Sequence, residues 1–409
     1  MLYGINYSPE LTGIGKYSGE MGAWLSSAGN RLQVITALPY YPDWKISPEY
    51  NPLRYVTEVQ ENVRIKRCPL YVPKEPSAVK RVLHLLSFSI TSFFALAGEF
   101  RRKPDVVILV VPTLFCALPA LVFAKFTKAK KIIHIQDYEV DAFFGLSANK
   151  NSKISSLFRR IEKFLLMKFD RISTISEGMI RRAISKGISE EKIIFFPNWT
   201  ETKLFKNVEK DDGFILSLGI DPCKKIILYS GNIGDKQGLE IVVSVAKVYQ
   251  AKGRLDTVFV IVGEGAGKKR LVDQVYDLKL KNVFFYPLQP KEVLPVLLAS
   301  ADCHLVVQKR DVADAVLPSK LTNILAVGGN AVITADPDTT MGLLCEKFPG
   351  IACIVEPESV DDLVRGIDEC LGLSRKNNVA LEYAEEYLEK DVIMNKFLGQ
   401  LNCLVNTSD

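Results

Sequence analysis

Short apolar runs alternate with segments of helical period along the first half of the chain. We expect helices over Lys16–Ala28, Val82–Arg101 and Ser152–Lys168, where apolar residues recur every three or four positions. The apolar runs predict strands at Leu2–Tyr7, Leu32–Thr36, Val63–Cys68, Val106–Val110, Lys131–Gln136, Arg171–Ile175 and Ile193–Pro197. Strands and helices in alternation predict a parallel sheet with helices on both faces.

The same pattern restarts after residue 200. Strands are expected at Lys225–Tyr229, Thr257–Val262, Val283–Phe285, Cys303–Val307 and Ala331–Ile333. A Pro-Asn-Trp turn and a polar stretch mark a boundary within 198–212. We therefore expect Rossmann-like domains over 1–203 and 204–378, and a helix in 379–409 that packs back on the first domain. Two such parallel sheets in tandem predict a ligand cleft at the carboxyl ends of the strands.

Composition and charge narrow the possible partners. With 48% hydrophobic and 24% charged residues in 409, the chain is not disordered, collagen-like or a coiled coil. Residues 1–200 carry 28 Lys+Arg and 17 Asp+Glu, net +11, whereas the remainder carries 24 against 30, net −6. The basic half suggests an anionic membrane, a phosphorylated substrate or nucleic acid. Nucleic acid is disfavoured, because the basic residues border apolar segments instead of alternating with aromatic ones.

Cysteine and histidine usage indicates the compartment and argues against a metal. The eight cysteines are scattered without a CxxC pair, which predicts buried thiols in a reducing cytoplasm, and the N-terminus shows no signal-peptide pattern. His84, His134 and His304 form no ligand-spaced cluster, so we expect no metal and no cofactor. Asp336 and Asp338 form a DxD turn, but a hard-cation site needs more oxygen ligands.

A glycine-rich segment follows the first predicted strand. Gly13, Gly15 and Lys16 bring backbone N–H groups and a helix N-terminus together, as a donor phosphate would require, and Lys16 is also placed on the acceptor side. A loop turn without a ligand is the alternative. A dinucleotide site is disfavoured, because the loop is too long and the second strand does not end in an acidic residue.

Two more glycine loops lie in the second half. The loop after KKIILY predicts a diphosphate site, or else a solvated turn, with the residues Gly231, Asn232, Gly234, Lys236 and Gln237. In the loop after VFVIV, we expect Gly263, Glu264 and Gly265 to bind the donor. This loop resembles a P-loop, but its spacing is one residue short and Lys269 replaces the magnesium-binding hydroxyl, so ATP hydrolysis is disfavoured.

A fourth candidate segment opens a helix at Leu317–Asn323. Pro318 and Ser319 stand at its start, where free N–H groups at the positive end of the helix dipole suit a phosphate. Asn323 lies one turn after Ser319 on the same side and can reach a sugar hydroxyl. An ordinary capped helix is the alternative.

Long runs of sequence add a more specific signal. They extend from Tyr3 to about residue 365 and include YGINYSPELTGIGKYSGEM, ALPYYPDW, HIQDYEVDAFFGL, ILYSGNIGDKQGLE and HLVVQKRDVADAVLPSKLTNILAVGGNAVITA. Together these runs resemble the retaining family 4 glycosyltransferases of colanic acid biosynthesis. The resemblance implies the GT-B architecture. It also implies metal-independent transfer of a sugar, fucose from GDP-fucose, to an undecaprenyl-diphosphate-linked saccharide at the cytoplasmic membrane face.

The resemblance also implies donor-binding positions and shows where this chain departs from the family. The arginine and lysine that grip the donor diphosphate fall on Asn232 and Gln237, with Lys236 beside the second. The two glutamates of the family fall beside Asp314 and on Asn323. Asn323 can still hydrogen-bond a ribose hydroxyl but carries no charge.

On the acceptor side, the histidine of the family falls on Gln136, which Asp137 follows. We expect these two residues to contact the sugar and the acceptor. His134, two residues earlier on the same strand face, and Glu139 and Asp141 in the following loop are further acceptor-side candidates.

Positive charge must stabilise the leaving nucleoside diphosphate. The groups available are the side chains of Lys236, Lys309, Arg310 and Lys320 and the backbone N–H groups of Ser319 and Lys320. The resemblance implies front-face attack, in which the donor phosphate accepts the proton of the acceptor, so no protein nucleophile is required.

The apolar segment 82–97 is bracketed by basic residues. It is too short and too polar to span a bilayer comfortably, because a spanning helix needs ~20 mostly apolar residues. We expect an interfacial helix on an anionic membrane, with the lysines at 125, 128, 130 and 131 extending the basic surface over 80–131. A helix buried against the sheet is the alternative.

Two other functions are compatible with the sequence. A GT-B-shaped nucleotide-sugar epimerase would need acids and histidines in the cleft, which three histidines supply poorly. A non-catalytic nucleotide-sugar-binding or scaffold subunit of a polysaccharide complex would tolerate the missing arginine and glutamates.

Overall fold

The computed structural model describes residues 1–10, 13–75, 77–138, 153–310 and 317–406. These residues form two compact units: the first comprises 1–198 with 394–409, and the second comprises 199–393. The division after Asn198 falls within the polar stretch that suggested a boundary. Phe397, in the last segment, stacks on Phe196 with ring centroids 3.9 Å apart inside the first unit.

The first unit is built on one sheet with the strand order β3-β4-β2-β1-β5-β6-β7-β8. Its strands are Leu2–Gly4 (β1), Gln33–Ala37 (β2), Val56–Gln60 (β3), Val63–Cys68 (β4), Val106–Val111 (β5), Lys130–Ile135 (β6), Arg171–Thr174 (β7) and Ile193–Phe195 (β8). Its helices are Gly13–Ser27 (α1), Ala78–Ala97 (α2), Ala117–Thr127 (α3), Lys153–Met167 (α4) and Glu177–Ser185 (α5). All pairings are parallel except that of β3 with β4.

The second unit contains a parallel sheet with the order β11-β10-β9-β12-β13-β14. Its strands are Lys225–Ser230 (β9), Thr257–Val262 (β10), Val283–Tyr286 (β11), Cys303–Val306 (β12), Ala331–Thr334 (β13) and Cys353–Val355 (β14). Its helices are Asp212–Ser217 (α6), Glu240–Ala251 (α7), Lys268–Asp277 (α8), Leu294–Ala299 (α9), Ser319–Ala326 (α10), Thr340–Lys347 (α11), Val360–Leu371 (α12) and Asn378–Tyr383 (α13). The final helix, Lys390–Asn406 (α14), begins in this unit and ends in the first.

The central strands of the second sheet are apolar on both faces. Ile226 and Leu228 belong to one core cluster, whereas Ile227 and Tyr229 belong to another. Successive side chains of a strand point to opposite faces, so the uninterrupted apolar run buries both. This burial explains why short apolar runs sufficed to predict these strands.

The structure differs from the sequence prediction at three elements. β3 is an exposed antiparallel edge strand without an apolar run. β14 has only three residues, within the short apolar run 351–355, which was not among the expected strands. The helix expected in 379–409 is interrupted at Glu389, whose extended backbone pairs with Thr200. That pairing joins residues far apart in sequence, so no local pattern could show it.

Candidate functional site

Three of the predicted segments meet at one edge of the second sheet. β10, β9 and β12 are neighbours, and their carboxyl ends lead into the loops 263–267, 231–238 and 307–310, respectively. The segment 317–320, which opens α10, also follows β12 along the chain. The candidate donor-binding loops of the second unit therefore lie where open parallel sheets bind ligands.

Glycines allow the loops after β9 and β10 to pass against each other. Gly263 has a φ of +157°, and a Cβ atom there would lie 1.9 Å from the carbonyl oxygen of Gly231. A Cβ at Gly265 would lie 2.3 Å from the carbonyl oxygen of Ile233. The contact is fixed by the Ile233 N–H, which donates to the carbonyl of Glu264 over 2.9 Å. These glycines are therefore required by the packing of the two loops, whatever ligand they bind.

Lys320 places a cation beside this pair of loops. Its ammonium group donates to the Tyr229 hydroxyl over 3.2 Å and lies 4.5 Å from the centroid of the tyrosine ring. The Tyr229 hydroxyl donates to the carbonyl of Asn232 over 2.6 Å, and burial raises the pKa of the phenol. A Cβ at Gly231 would lie 3.8 Å from the Lys320 ammonium, so the charge adjoins the glycine backbone. A cation beside a glycine loop at the carboxyl end of a strand suits a phosphate.

The start of α10 adds backbone donors next to Lys320. Pro318 is the N-cap residue, with φ −61° and ψ 134°, and Ser319 is the first helical residue. The N–H groups of Ser319 and Lys320 have no partner within the helix, whereas that of Leu321 donates to the Pro318 carbonyl, and the helix dipole is positive there. Asn323, one turn later, accepts a hydrogen bond from the Thr200 hydroxyl over 2.7 Å, which leaves its amide nitrogen to donate to a ligand.

Hydrogen bonds and packing contacts within the protein hold the other candidate residues of these loops in place. Gln237 turns back and accepts from the Gly234 N–H over 3.1 Å. Lys236 is exposed, and its carbonyl accepts from the Lys309 N–H over 3.0 Å, which ties the loops after β9 and β12 together. A Cβ at Gly238 would lie 2.8 Å from the Lys309 side chain. These contacts fix the loop backbones around the Lys320 charge.

Two predicted donor-binding side chains form ion pairs within the second unit. Arg310 pairs with Asp336 at 3.4 Å and with Glu356 at 2.6 Å. Glu264 pairs at 2.6 Å with Lys268, the first residue of α8. A ligand that binds Arg310 or Glu264 must compete with these partners. Asp336, the first residue of the DxD turn, is correspondingly engaged with Arg310.

In the first unit, Gln136 stands at the carboxyl end of β6. It is 8% exposed, and its amide nitrogen donates to Nε2 of His134 over 2.9 Å. Nδ1 of His134 then carries the proton and donates to the Ser173 hydroxyl over 2.9 Å. Burial lowers the pKa of His134 to about 3, so the ring is neutral at physiological pH. His134 is itself buried and orients Gln136, whereas Asp137 is exposed.

The glycines after β1 lie at the start of α1. Gly13 is exposed with a φ of +57°, and Lys16 lies 3.8 Å from Glu20 and 5.1 Å from the centroid of the Tyr17 ring. A Cβ at Gly15 would lie 2.6 Å from Oε2 of Glu10. Gly15 is therefore required for the helix to pass the carboxyl group of Glu10.

Sequence reasoning missed Glu10 as a site residue. Its side chain is buried beside a pocket of about 350 Å³ at the carboxyl ends of β1 and β2. The sequence signal for Glu10 was an acidic residue between a strand and a glycine loop. This signal is weak, because Tyr40 and Tyr41, which bind Glu10, lie far away in sequence.

Three other predicted residues, Glu139, Asp141 and Asp314, lie outside the described residues. Within the described ranges, no group of three or more His, Cys, Asp or Glu residues could hold a metal ion.

Comparison with known proteins decides the family. A model described as glycosyl transferases group 1 matches residues 214–387, and one described as a glycosyl transferase 4-like domain matches residues 12–199. The chain is 52% identical over 406 residues to the colanic acid biosynthesis glycosyl transferase WcaI of Escherichia coli K12, covering 98% of this chain and 99% of WcaI. The chain belongs to the WcaI-type family 4 glycosyltransferases. The resemblance seen in the sequence is thus confirmed, and the chain is a glycosyltransferase.

Solved structures confirm the fold class. The chain superposes on sucrose-phosphate synthase of Thermosynechococcus elongatus with a TM-score of 0.71 and 15% identity, covering 100% and 99% of the two chains. It superposes on HepE of Anabaena, solved with UDP, with a TM-score of 0.68 and 12% identity, covering 98% and 99%. The expected GT-B class, with two parallel-sheet α/β domains, is therefore correct.

Proposed function

We propose that this glycosyltransferase moves fucose from GDP-fucose onto a lipid-diphosphate-linked saccharide in colanic acid biosynthesis. WcaI, the relative of 52% identity, is described as a colanic acid biosynthesis enzyme, which supports the pathway. HepE, a neighbour in fold, was solved with UDP, which supports a nucleotide donor. The observation that carries the proposal is the Lys320 ammonium beside the glycine loops after β9 and β10.

In the proposed reaction, the bond between the anomeric carbon of the sugar and the diphosphate oxygen breaks as an acceptor hydroxyl attacks from the same face. The new glycosidic bond then keeps the configuration of the donor. The acceptor proton passes to the departing phosphate oxygen, so atoms and charges balance without a protein nucleophile. Lys320 and the first N–H groups of α10 stabilise the charge that grows on the diphosphate.

The proposal assigns this stabilisation to protein groups and not to a metal ion. Lys320 lies at the carboxyl end of the sheet together with the N-terminus of α10, and both favour an anion. Gln136 and Asp137 are proposed to contact the sugar and the acceptor in the first unit. Lys236, which has an exposed side chain, is proposed to assist with the outer phosphate.

Nucleotide binding tests the donor. We expect GDP and GDP-fucose to raise the melting temperature of the full chain more than UDP, ADP or their sugars. A ligand at a hundredfold excess over Kd adds about 2.7 kcal/mol, or roughly 5 to 10 °C for a domain of this size. The shift should persist in EDTA. A larger shift with UDP or ADP would contradict the GDP assignment, and no shift with any nucleotide would favour the scaffold function.

We further propose that the first unit lies on an anionic membrane at the cytoplasmic face. Among the described residues, one helix, over Val79–Ala97, is by length and composition apolar enough to cross a membrane. One face of this helix packs on the sheet: Phe88 is buried, and the Ser92 hydroxyl lies 2.6 Å from the Tyr3 hydroxyl of β1. The opposite face exposes Ile90 and Phe94. Such a two-faced helix with basic flanks suits the membrane interface better than a span.

Vesicle flotation tests the membrane proposal. We expect the wild-type chain to float with vesicles containing anionic lipid and to bind less as salt increases. The double variant Ile90→Asp and Phe94→Asp should lose flotation, because it removes exposed apolar area and adds negative charge. Leu288→Asp, at an exposed leucine of the second unit, is the control and should float normally. Failure of the wild type to bind at physiological salt would refute the proposal.

A further inference from the structure

The pocket beside Glu10 lies entirely within the first unit, and none of its lining residues was assigned a role in the reaction described above. It is formed by the loops that follow β1 and β2, which are neighbouring strands of the first sheet. Its volume of about 350 Å³ falls in the range of small-molecule sites. The carboxyl edge of a parallel sheet is where such sites are expected.

Glu10 is a buried carboxyl group held by neutral donors. Its side chain is 5% exposed. Oε2 accepts from the Asn6 amide over 2.8 Å, and Oε1 accepts from the N–H groups of Tyr40 and Tyr41 over 3.3 and 3.2 Å. A carboxylate has about four acceptor positions, so these three bonds leave capacity for one more donor. Burial raises the pKa of this carboxyl, and the hydrogen bonds from Asn6, Tyr41 and Tyr40 oppose the rise.

The surrounding structure holds Glu10 in place. Arg67 is fully buried, pairs with Glu58 at 2.6 Å and donates to the Ser8 carbonyl over 2.7 Å, which fixes the segment just before Glu10. On the other side, Gly15 lets α1 pass close to the carboxyl oxygen. Burying a carboxyl group costs free energy, and buried carboxyl groups with a shifted pKa concentrate at functional sites.

Aromatic residues form the second feature of the pocket. Tyr41 is 42% exposed and Tyr40 is buried, and both line the pocket. The Tyr40 ring is braced by Trp44 at 5.7 Å and His84 at 4.6 Å between centroids. A fixed carboxylate next to tyrosine side chains matches the chemistry of a sugar, which offers hydroxyl donors and apolar C–H faces.

We infer that this pocket is a saccharide subsite, in which Glu10 accepts a hydrogen bond from a sugar hydroxyl and Tyr41 packs against the ring. Within the proposed function, on which the assignment rests, the saccharide is the acceptor glycan. Glu10 recognises the position of one sugar hydroxyl. It is therefore a binding residue that selects the acceptor.

Saturation-transfer NMR on the full chain tests this inference without a nucleotide. The probes are the methyl glycosides of glucose, galactose and fucose. We expect saturation transfer to at least one probe with the wild type, and a dissociation constant weakened tenfold or more in Glu10→Gln, as for loss of a charged hydrogen bond. Glutamine keeps an oxygen for the N–H groups of Tyr40 and Tyr41, so the loop should stay folded. Tyr41→Ala should weaken the signal as well.

Three controls separate this subsite from the donor site and from a structural effect. Glu49→Gln alters an exposed glutamate of the first unit and should bind as the wild type does. Lys320→Ala should leave the signal unchanged, because Lys320 belongs to the second unit. Melting temperatures identify any variant that unfolds. Unchanged binding in Glu10→Gln, loss of the signal in Lys320→Ala, or no signal from any probe with the wild type would each overturn the inference. None of these results depends on which nucleotide is the donor.

Discussion

Replacing Lys320 with alanine is expected to lower turnover by roughly 100- to 1,000-fold, the usual cost of losing one preorganised group that stabilises developing charge. The ammonium group lies beside the Gly231 backbone and donates to the Tyr229 hydroxyl. No other lysine of the described loops is held against the end of β9 in this way. The stabilisation by a nucleoside diphosphate in the melting assay should fall together with turnover, because the diphosphate of the bound donor is already negatively charged.

The matched control is Lys247→Ala, which removes an exposed lysine from the middle of α7. Alanine is a good helix former, so this variant should retain both stability and activity. Lys320→Arg should recover part of the rate, since the charge is kept but its geometry changes. Near-normal transfer by a folded Lys320→Ala protein would remove the phosphate assignment.

Gly263→Ala is expected to have the largest effect on stability among the loop substitutions. The added methyl would lie 1.9 Å from the Gly231 carbonyl oxygen, on a backbone with a φ of +157°. Backbone strain and the forced separation of the two loops together should cost about 3 kcal/mol or more in the free energy of unfolding. Urea denaturation measures this loss, and the variant should also lose stabilisation by nucleotide.

Gly253→Ala isolates the steric part of that effect. Gly253 also has a positive φ, +72°, but a Cβ there meets nothing within 4 Å. The Gly253→Ala substitution should therefore lower the free energy of unfolding by only about 1 to 2 kcal/mol, because alanine is strained in the left-handed conformation. Equal losses in the two variants would show that loop contact contributes nothing.

Much of the fold could be predicted because both sheets are buried on two faces. Runs such as 258–262, with the sequence VFVIV, are apolar throughout and lie between turn residues, so length and composition identify them as strands. β3 escaped prediction because most of its residues are exposed and polar. The interruption at Glu389 escaped it because the pairing partner, Thr200, is 189 residues away.

The candidate donor site was predictable for a related reason. Residues that follow parallel strands share one edge of the sheet, so Gly231, Gly263 and Lys320 could be grouped from sequence. The contacts of Arg310 and Glu10 could not be predicted in this way. The ion pairs of Arg310 join it to carboxylates 26 and 46 residues later. Glu10 is bonded to backbone N–H groups 30 and 31 residues away.

The uneven charge of the chain acquires a specific interpretation within the proposal. Residues 1–200, net +11 from 28 basic and 17 acidic residues, form most of the unit proposed to lie on the anionic membrane. The acidic remainder would bind its anionic nucleotide through locally placed groups, chiefly Lys320 and the start of α10. Net charge therefore informs the membrane proposal but not the donor site.

Direct assay of sugar transfer tests the central claim most closely. The purified full chain is incubated with GDP-fucose and a lipid-diphosphate-linked saccharide in the presence of EDTA, and the product is isolated and examined by NMR. The account predicts GDP release matched by one new glycosidic bond, with the same anomeric configuration as the donor. An inverted product, an absolute requirement for a divalent metal, or no transfer from GDP-fucose while another nucleotide sugar supports it would contradict the account.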